Sequence, residues 1–443
     1  MSGFSSLQDL VFSFFDHHID PARPVMLGFS GGPDSVCLLH FLLDYHKKRR
    51  LLLHLVHIDH GWREESKKEC EAIQEMALSL GLRLHTTRLA PQNKGNLEAQ
   101  ARQERLSYFT AIGKQIGAQG ILLAHQLDDQ CETVFKRFLE GVHLPHLSGM
   151  RPVSEIGALT LFRPLLQVSK KKILEWLQGR NLSYFEDPTN QDVRFLRARM
   201  RAETFPFLRQ SFGKEFQENV CHIARDADEV RVYFDDKVFP YLAHPVFGPW
   251  GVLFDLSKAC PDSSLEAKEL FRRMGELYHI SLNRSQLELA AKFLLENSAN
   301  KWLWTQKKRL YIDRKKIFII EEVFEDFPEM MKVKEGVTSF GPWLMTVRLG
   351  RGERKNHWLD IWSGFCSTVV PKGDYFLAKA HSSSRHAWRN KLLDRLWNEK
   401  KVPRALTSLC PMVMNEDGAI EDFLQDFDLG HSGDGLYIQL EKI

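Results

Sequence analysis

The sequence lacks paired cysteines. Its 7 cysteines stand singly along 443 residues, and no two of them form a CxxC pair. This spacing offers no framework of disulfide bridges. We therefore expect reduced thiols that pack as small hydrophobic side chains, as is typical of proteins in a reducing compartment.

Long apolar runs are also missing. Residues 36–43 form one of the longest stretches, which falls far short of the ~20 apolar residues that span a bilayer. Residues 1–18 have no basic start, and Asp9 interrupts their apolar part, so they do not resemble a signal peptide. We expect a cytoplasmic protein that neither crosses nor binds a membrane.

An excess of charge of one sign is absent as well. The formal net charge is only +3, so a nucleic-acid partner would have to bind local basic patches. The hydrophobic fraction of 43% lies near the globular average, which excludes global disorder. At about 150 residues per domain, the length predicts roughly three domains.

Residues 22 to about 210 alternate short apolar runs with longer segments of helical period. Strands are predicted at 25–29, 51–57, 82–89 and 120–124, and helices at 35–45, 64–80, 96–116 and 128–140. This alternation is typical of βαβ units, and it predicts an α/β fold with a parallel sheet.

The pattern changes in the second half of the chain. Helices are predicted around 214–241 and 265–297, a hairpin at 302–322, strands at 337–351 and 373–380, and a helix at 385–400. We therefore predict an α/β domain at 1–213, a mostly helical middle domain at 214–325 and a small α+β C-terminal domain at 336–443.

The run at 25–35, VMLGFSGGPDS, joins a predicted strand to a predicted helix through a glycine-rich turn. Gly31 and Gly32 allow close approach of the backbone, and the amides at the helix start point towards an anion. Ser30 and Ser35 add hydroxyl donors. The run has neither the GK[ST] ending of the conventional P-loop nor the GxGxxG spacing. We interpret it as a phosphate-binding loop, whereas an isolated GG turn would indicate only a serine-capped turn.

This run resembles the PP-loop of ATP pyrophosphatases, which split ATP between its α and β phosphates. The resemblance implies that six residues bind the pyrophosphate portion of ATP: Ser30, Gly31, Gly32, Pro33, Asp34 and Ser35. A Mg²⁺ ion would stabilise the leaving pyrophosphate. Asp34 is the nearest carboxylate, and it would orient either this metal or a substrate ammonium.

Polar residues follow two further predicted strands. The segment 124–133, AHQLDDQCET, comes after the fourth strand, at the sheet edge where open α/β folds bind ligands. Its adjacent acids Asp128 and Asp129 also suit a capping role at the helix start. The segment 57–63, HIDHGWR, follows the second strand, and taken alone its histidines indicate structural or surface groups.

The order of these segments resembles the tRNA(Ile)-lysidine synthetase family. The matching segments are SGGPDS, HIDHGWR, LEAQARQERL (97–106), AHQLDDQCET, RPLL (163–166) and EDPTNQD (186–192), with further similarity at 282–289 and 391–411. The resemblance implies a ligase that uses ATP to adenylate carbon 2 of the wobble cytidine in an isoleucine tRNA with a CAU anticodon. The side-chain amine of free L-lysine then displaces AMP, and the product base is lysidine.

The same resemblance implies roles for four site residues. Asp129, with Asp128 or Asp34, would bind Mg²⁺ or attract the lysine ammonium, and His125 would lie near the adenylate; Asp34 and Asp129 are the predicted metal ligands. The sequence departs from the family at Gln126, where a histidine is usual, and at Ala198, where an asparagine is usual. Gln126 cannot become cationic.

Two basic regions are candidates for RNA contact. Arg194, Arg197 and Arg201 share one helical face, which indicates either a solvated face or a phosphate contact. In the C-terminal region, the residues predicted to dock an RNA backbone are Arg389, Lys391, Arg395, Lys400 and Lys401. Trp397 is expected on the core face of that helix. The sequence leaves the oligomeric state open, and a homodimer is one arrangement that it allows.

Other functions predict different features. A tRNA thiolation enzyme of the same superfamily typically has paired cysteines or an iron–sulfur cluster, which the missing CxxC pair disfavours. A synthetase that acts on small metabolites would carry a glutaminase domain, and none is recognisable. A non-catalytic RNA-binding protein with a regulatory nucleotide site is disfavoured by the intact Ser30, Asp34, Ser35 and Asp129.

Overall fold

The chain is described from a computed structural model. The structure describes residues 6–59, 66–89, 97–185, 196–213, 216–305, 308–321, 328, 330–379, 384, 391–407, 409–424 and 435–442. The chain forms two compact units, Met1–Val232 and Tyr233–Ile443. Among the residues just given, no helix is long and apolar enough to cross a membrane.

A six-stranded sheet organises the first unit. Its strands are β1 (Val25–Gly28), β2 (Leu53–Asp59), β3 (Arg83–Arg88), β4 (Ile121–Leu122), β5 (Val153–Ile156) and β6 (Leu159–Phe162). The order is β3-β2-β1-β4-β6-β5, and every pair is parallel except β5 with β6. The α/β class and the four predicted strands are confirmed, while the β5–β6 hairpin was not predicted.

Helices connect these strands. They are α1 (Leu7–His18), α2 (Pro33–Lys48), α3 (Ser66–Ser79), α4 (Leu97–Ile116), α5 (Leu127–Leu139), α6 (Lys170–Gln178), α7 (Leu196–Arg199) and α8 (Phe205–Phe212), with a π-helical turn at Met200–Thr204. Helix α2 buries an apolar face that includes Leu38, Leu39 and Leu42 in the same core as β1. Burial of such a face is the main stabilisation of an amphipathic helix. The start of α2 is thereby fixed just after the end of β1.

The middle of the chain combines helices with an antiparallel sheet. It contains α9 (Phe216–Leu242), β7 (Val246–Gly248), β8 (Gly251–Asp255), α10 (Ser264–Tyr278), α11 (Arg284–Leu295), β9 (Lys301–Trp304), β10 (Lys308–Asp313) and β11 (Lys316–Glu321). The sheet order is β7-β8-β11-β10-β9. The segment predicted as helical at 265–297 is divided, because His279 ends α10 in the left-handed conformation and Asn283 caps α11.

Two four-stranded sheets complete the second unit. The elements are β12 (Met330–Lys332), β13 (Gly336–Phe340), β14 (Trp343–Gly350), α12 (Trp358–Trp362), β15 (Phe365–Val370), β16 (Phe376–Lys379), α13 (Leu393–Glu399), β17 (Pro411–Asn415), β18 (Gly418–Glu421) and β19 (Gly435–Lys442). The sheet orders are β12-β16-β17-β18 and β13-β14-β19-β15. The segment predicted as one strand at 337–351 is a hairpin, and residues 385–390 of the predicted helix lie outside the described residues.

The core of this second unit crosses the predicted domain boundary. Trp250 and Phe318 from the middle of the chain share one buried cluster with Trp343 and Trp397. The indole Nε1 of Trp250 also donates to the carbonyl oxygen of Ile361 at 3.1 Å. The division into a middle and a C-terminal domain remains a prediction.

Candidate active site

The glycine-rich run forms a turn between β1 and α2, as predicted. Helix α2 begins at Pro33 with Gly32 as its N-cap, so its first amides face the turn. The Ser35 hydroxyl donates to the carbonyl oxygen of Gly32 at 2.9 Å and lies 3.2 Å from the Ser30 hydroxyl. This arrangement of amides and hydroxyl groups suits an anion with several oxygens.

Gly31 is required by two features of this turn. Its φ of +77° lies in the left-handed region, which favours glycine. A Cβ at this position would collide with the ring of Phe185, whose amide donates to the Gly31 carbonyl oxygen at 2.9 Å. The segment at Phe185 therefore closes one side of the turn.

Asp34, the second residue of α2, forms an ion pair with Lys170. The Lys170 amine lies 2.7 Å from Oδ1 and 2.8 Å from Oδ2 of Asp34. Burial raises the pKa of Asp34, while the positive charge of Lys170 opposes that rise. Lys170 is the first residue of α6, and sequence reasoning missed it; the only signal was the run of three lysines after the capping Ser169.

The start of α5 is held by a capping box. The Gln126 side chain accepts a hydrogen bond from the Asp128 amide at 2.6 Å, and Asp129 Oδ2 accepts one from the Gln126 amide at 3.0 Å. Gln126 therefore performs a neutral capping role, for which no charge is needed. Of the two adjacent acids, Asp129 therefore caps the helix, which is one of the two roles that the sequence allowed. The Asp128 carboxylate takes no part in the capping box.

Arg201 binds two acids on the inner face of α5. Its Nη2 lies 2.8 Å from Asp129 Oδ1 and 3.1 Å from Glu132 Oε2, and its Nε also donates to Glu132. The Glu132 side chain is fully buried, and Arg197 lies 4.0 Å from it. Arg201 thus fixes the orientation of Asp129. Its predicted contact with RNA remains a prediction.

The pKa values of His125 and Asp128 differ from their ordinary values. Burial lowers the pKa of His125 to about 4, with Arg163, Arg105 and Arg197 adding to the effect, and its Nδ1 has no partner among the described residues. The imidazole is therefore neutral at pH 7. Burial and the neighbouring Asp129 raise the pKa of Asp128.

These groups interact across neighbouring strands. The charges of Asp129 and Arg201 act on the Asp34 carboxylate, and the charges of Asp34 and Lys170 act on Asp128. Because β1 and β4 pair in parallel, the turn after β1 and the segment after β4 meet at one sheet edge. The structure thus brings together the glycine-rich turn and the acids that the sequence singled out.

Comparison with known proteins agrees with this geometry. A family model of the PP-loop domain matches residues 6–208. A tRNA(Ile)-lysidine synthase of Protochlamydia amoebophila (strain UWE25) is 31% identical over 438 residues, which cover 97% of this chain and 96% of that protein. The chain belongs to the tRNA(Ile)-lysidine synthase family.

Further similarities are narrower. A tRNA(Ile)-lysidine synthase of Chlamydia pneumoniae is 36% identical over 53% of this chain and 73% of its own length. Among solved structures, a U34-tRNA thiolase of Methanococcus maripaludis matches 51% of this chain and 77% of its own, with a TM-score of 0.41 and 15% identity. The assignment to the lysidine synthase family rests on the sequence relatives alone.

The acids fit a magnesium ion that accompanies ATP. Among the residues that the structure describes, no group of three or more His, Cys, Asp or Glu side chains could hold a metal by itself. Mg²⁺ in nucleotide sites commonly takes only one or two carboxylates and completes its shell with phosphate oxygens and water. Asp128 has no ion pair with a described residue, and its raised pKa is the response expected of a buried acid next to Asp129. A bound cation would relieve that repulsion.

Other positions that the sequence singled out have a structural role, belong to the second unit or lie outside the described residues. His57 is buried, and its Nδ1 lies 2.9 Å from the Phe29 carbonyl oxygen, which indicates a structural role. Arg194 and Arg389 fall outside the described residues, as does the segment 186–192. In the second unit, four predicted RNA contacts are exposed: Lys391, Arg395, Lys400 and Lys401. Trp397 is buried, as predicted for the core face of α13.

Proposed function

We propose that this chain ligates free L-lysine to carbon 2 of the wobble cytidine in an isoleucine tRNA with a CAU anticodon. ATP supplies the energy through an adenylated base, and the products are lysidine, AMP and pyrophosphate. The observation that carries the proposal is a similarity to a lysidine synthase over 97% of the chain. The turn at Ser30–Ser35, which contains Asp34 and lies next to Asp128 and Asp129, gives that similarity a chemical basis.

In the first step, the cytidine carbonyl oxygen attacks the α-phosphorus of ATP, and the bond between the α and β phosphates breaks. The turn formed by Ser30, Gly31, Gly32, Pro33, Asp34 and Ser35 binds the leaving pyrophosphate. Its amides and hydroxyls are fixed in advance, so they stabilise developing charge without reorganisation. A bound Mg²⁺ would add charge neutralisation on the phosphate oxygens.

In the second step, the lysine ammonium releases a proton to solvent, the free amine attacks carbon 2 of the base, and the bond between carbon 2 and the AMP oxygen breaks. Asp129, with Asp34 or Asp128, binds Mg²⁺ or attracts the lysine ammonium. Asp34 and Asp129 already have cationic partners, whereas Asp128 has none among the described residues. We therefore assign to Asp128 the largest share in binding an incoming cation. The neutral His125 lies near the adenylate, where its imidazole can donate or accept a hydrogen bond without adding a positive charge.

The tRNA is the macromolecular partner in this proposal. Arg194, Arg197 and Arg201 contact RNA next to the site. In the second unit, the RNA backbone is bound by Arg389, Lys391, Arg395, Lys400 and Lys401. The catalytic site belongs to the predicted domain at 1–213, and the predicted domains at 214–325 and 336–443 bind the tRNA. The reaction takes place in the cytoplasm, and a homodimer is one arrangement in which it proceeds.

The decisive experiment measures pyrophosphate release with ATP, lysine and an unmodified isoleucine tRNA that bears the CAU anticodon, with each component omitted in turn. We expect release to require the tRNA and labelled lysine to enter the RNA. Release with tRNA but without lysine incorporation would overturn the lysine assignment and favour a thiolation reaction. Absence of release with retained tRNA binding would favour a non-catalytic RNA-binding protein.

A further inference from the structure

Five arginines gather beside the proposed active site. We call this set, Arg102, Arg105, Arg137, Arg151 and Arg163, the arginine cluster. The Arg102 guanidinium lies close enough to Arg105, Arg137 and Arg163 to lower the pKa of each. None of the five forms an ion pair with a residue that the structure describes.

The inner members of the cluster are held by neutral groups. Arg163 donates to the Arg151 carbonyl oxygen and the Ser154 hydroxyl, both at 2.8 Å. Arg137 donates to the carbonyl oxygens of His146 and Gly149, at 2.6 and 2.9 Å. These acceptors fix the guanidinium planes but carry no full negative charge, and among the described residues only Arg137 has a nearby acid, Glu140, that offsets part of its charge.

Arg163 is the most informative member. Its side chain is only 5% exposed, and its Nε has no hydrogen-bond partner among the described residues. A buried guanidinium with an unused donor beside other cations costs free energy unless an anion completes the site. The cluster therefore indicates a site for an anionic ligand.

A groove continues from the cluster along the outside of the fold. This α4 groove has a volume of about 710 Å³ and lies between α4 and the turn at 156–158 of the β5–β6 hairpin. Its donor side chains come from one face of α4: Arg102, Gln103, Ser107 and Lys114. None of the described residues that line it is acidic.

The length of the groove indicates which kind of anionic ligand fits it. From Arg102 to Lys114 the helix rises about 18 Å at ~1.5 Å per residue. At a rise of ~3.4 Å per nucleotide, that length corresponds to several nucleotides of a strand. The triphosphate of ATP is shorter, and its proposed site lies after β1, two strands away from Arg163, which follows β6. A polymer of phosphates fits the groove better than a mononucleotide does.

We infer that the α4 groove binds the phosphate backbone of an RNA strand, which enters the active site at the arginine cluster and leaves along α4 towards Lys114. This inference rests on the proposed function, since it takes the tRNA as the partner. It adds a specific path by which the strand on one side of the modified base is held. Backbone contacts of this kind fix the position of a strand without reading its sequence.

The test compares two double variants in direct tRNA binding. Arg102→Gln/Lys114→Gln removes a positive charge at each end of the groove. Arg23→Gln/Arg50→Gln removes two exposed charges that precede β1 and β2 and do not line the groove. We expect the groove variant to bind tRNA about tenfold more weakly at 0.1 M salt, and the slope of log K against log salt to fall by about 1.4. The control variant should match the wild type.

A third variant guards against indirect effects. Ser107→Glu keeps every arginine and places a negative charge on an exposed position in the middle of the groove. We expect weaker tRNA binding and an unchanged affinity for a non-hydrolysable ATP analogue. Normal tRNA binding by both groove variants would overturn the inference, and so would a loss of ATP affinity in place of tRNA affinity.

The assays separate this inference from the proposed function. Wild-type protein that binds tRNA through the groove but incorporates no lysine would refute the proposed reaction and support the RNA path. Wild-type protein that incorporates lysine, with groove variants that bind tRNA normally, would refute the path alone.

Discussion

The Lys170 amine lies 2.7 Å from Oδ1 of Asp34, so the acid of the glycine-rich turn forms an ion pair with the first residue of α6. The two residues are 136 positions apart in the chain. Their contact joins the turn after β1 to α6, which comes after all six strands of this sheet in the chain. An acid held in this way keeps a fixed direction while its negative charge is partly balanced.

Replacing Lys170 with glutamine should shift the pH dependence of the reaction. The folded-state pKa of Asp34 is already raised by burial, and the Lys170 charge holds it down. Removing that charge raises the pKa further, so the acid limb of the pyrophosphate-release profile should move to higher pH. The neighbouring Lys171→Gln variant is the control, because that side chain is 85% exposed. Identical acid limbs in the two variants would contradict a role for Lys170 in tuning Asp34.

Replacing Asp129 with asparagine should abolish product formation while leaving the fold intact. Asparagine retains an oxygen that can accept from the Gln126 amide, so α5 should still begin at its capping box. The charge that faces Arg201 is lost. We expect lysine incorporation to fall by about 100-fold or more, with little change in thermal midpoint. Near-normal turnover would remove Asp129 from the mechanism.

Replacing Asp128 with asparagine should identify which cation this acid binds. If it binds the metal, the variant should require more Mg²⁺ and keep its KM for lysine. If it binds the lysine ammonium, the KM for lysine should rise while the Mg²⁺ requirement stays the same. Unchanged dependence on both would show that Asp128 is not a cation ligand. Circular dichroism of the same preparation provides the folding control.

Replacing Gly31 with alanine should destabilise the turn and weaken ATP binding. Alanine at φ +77° costs about 1–2 kcal/mol, and its Cβ would also meet the Phe185 ring. Gly32→Ala is the matched control, because Gly32 has a φ of −74° and the nearest atom to its added Cβ is 3.5 Å away. Thermal unfolding should show a lower midpoint for Gly31→Ala and an unchanged midpoint for Gly32→Ala. Adding Phe185→Ala to Gly31→Ala should restore part of that loss, since it removes the collision but not the backbone strain.

The sequence predicted the parts of the site that are local. A strand, a glycine turn and a helix start are adjacent in the chain, so their periodicity and turn chemistry predicted β1, the turn and α2 directly. The edge position of Asp128 and Asp129 followed in the same way from β4 and α5.

The unpredicted parts depend on packing between distant segments. Arg201 is 72 residues from Asp129, and its ion pair depends on where α7 and the π-helical turn pack. No periodicity in the chain specifies such a pairing. The short strands β5 and β6, of four residues each, were too brief for their pattern to stand out. His279 divides the segment that was predicted as one helix. This break was not predicted, because a single left-handed residue hardly changes the hydrophobic periodicity of the sequence.

The second unit should lose stability as the pH rises from about 4.5 to 7. Glu421 is fully buried, and burial together with Asp422 raises its pKa to about 7, although Asn356, Thr368 and the Phe423 amide donate to it. A raised folded-state pKa means that the folded protein holds this proton more tightly than the unfolded chain does. The contribution of Glu421 to stability is therefore complete at a pH below its pKa in the unfolded chain. It declines as the pH rises, until the pH passes the pKa of Glu421 in the folded protein.

Urea unfolding of the full chain at several pH values tests this prediction, with the transition of the second unit followed by tryptophan fluorescence. Glu421→Gln has no ionisable proton, so its stability should change less between pH 5 and pH 8 than that of the wild type, even though one donor of the network then loses its acceptor. Glu441→Gln, on β19 at an exposed position, should retain the wild-type dependence. Equal pH slopes for the wild type and Glu421→Gln would show that Glu421 does not titrate in this range. Its burial would then be compensated by the three donors in the ionised form.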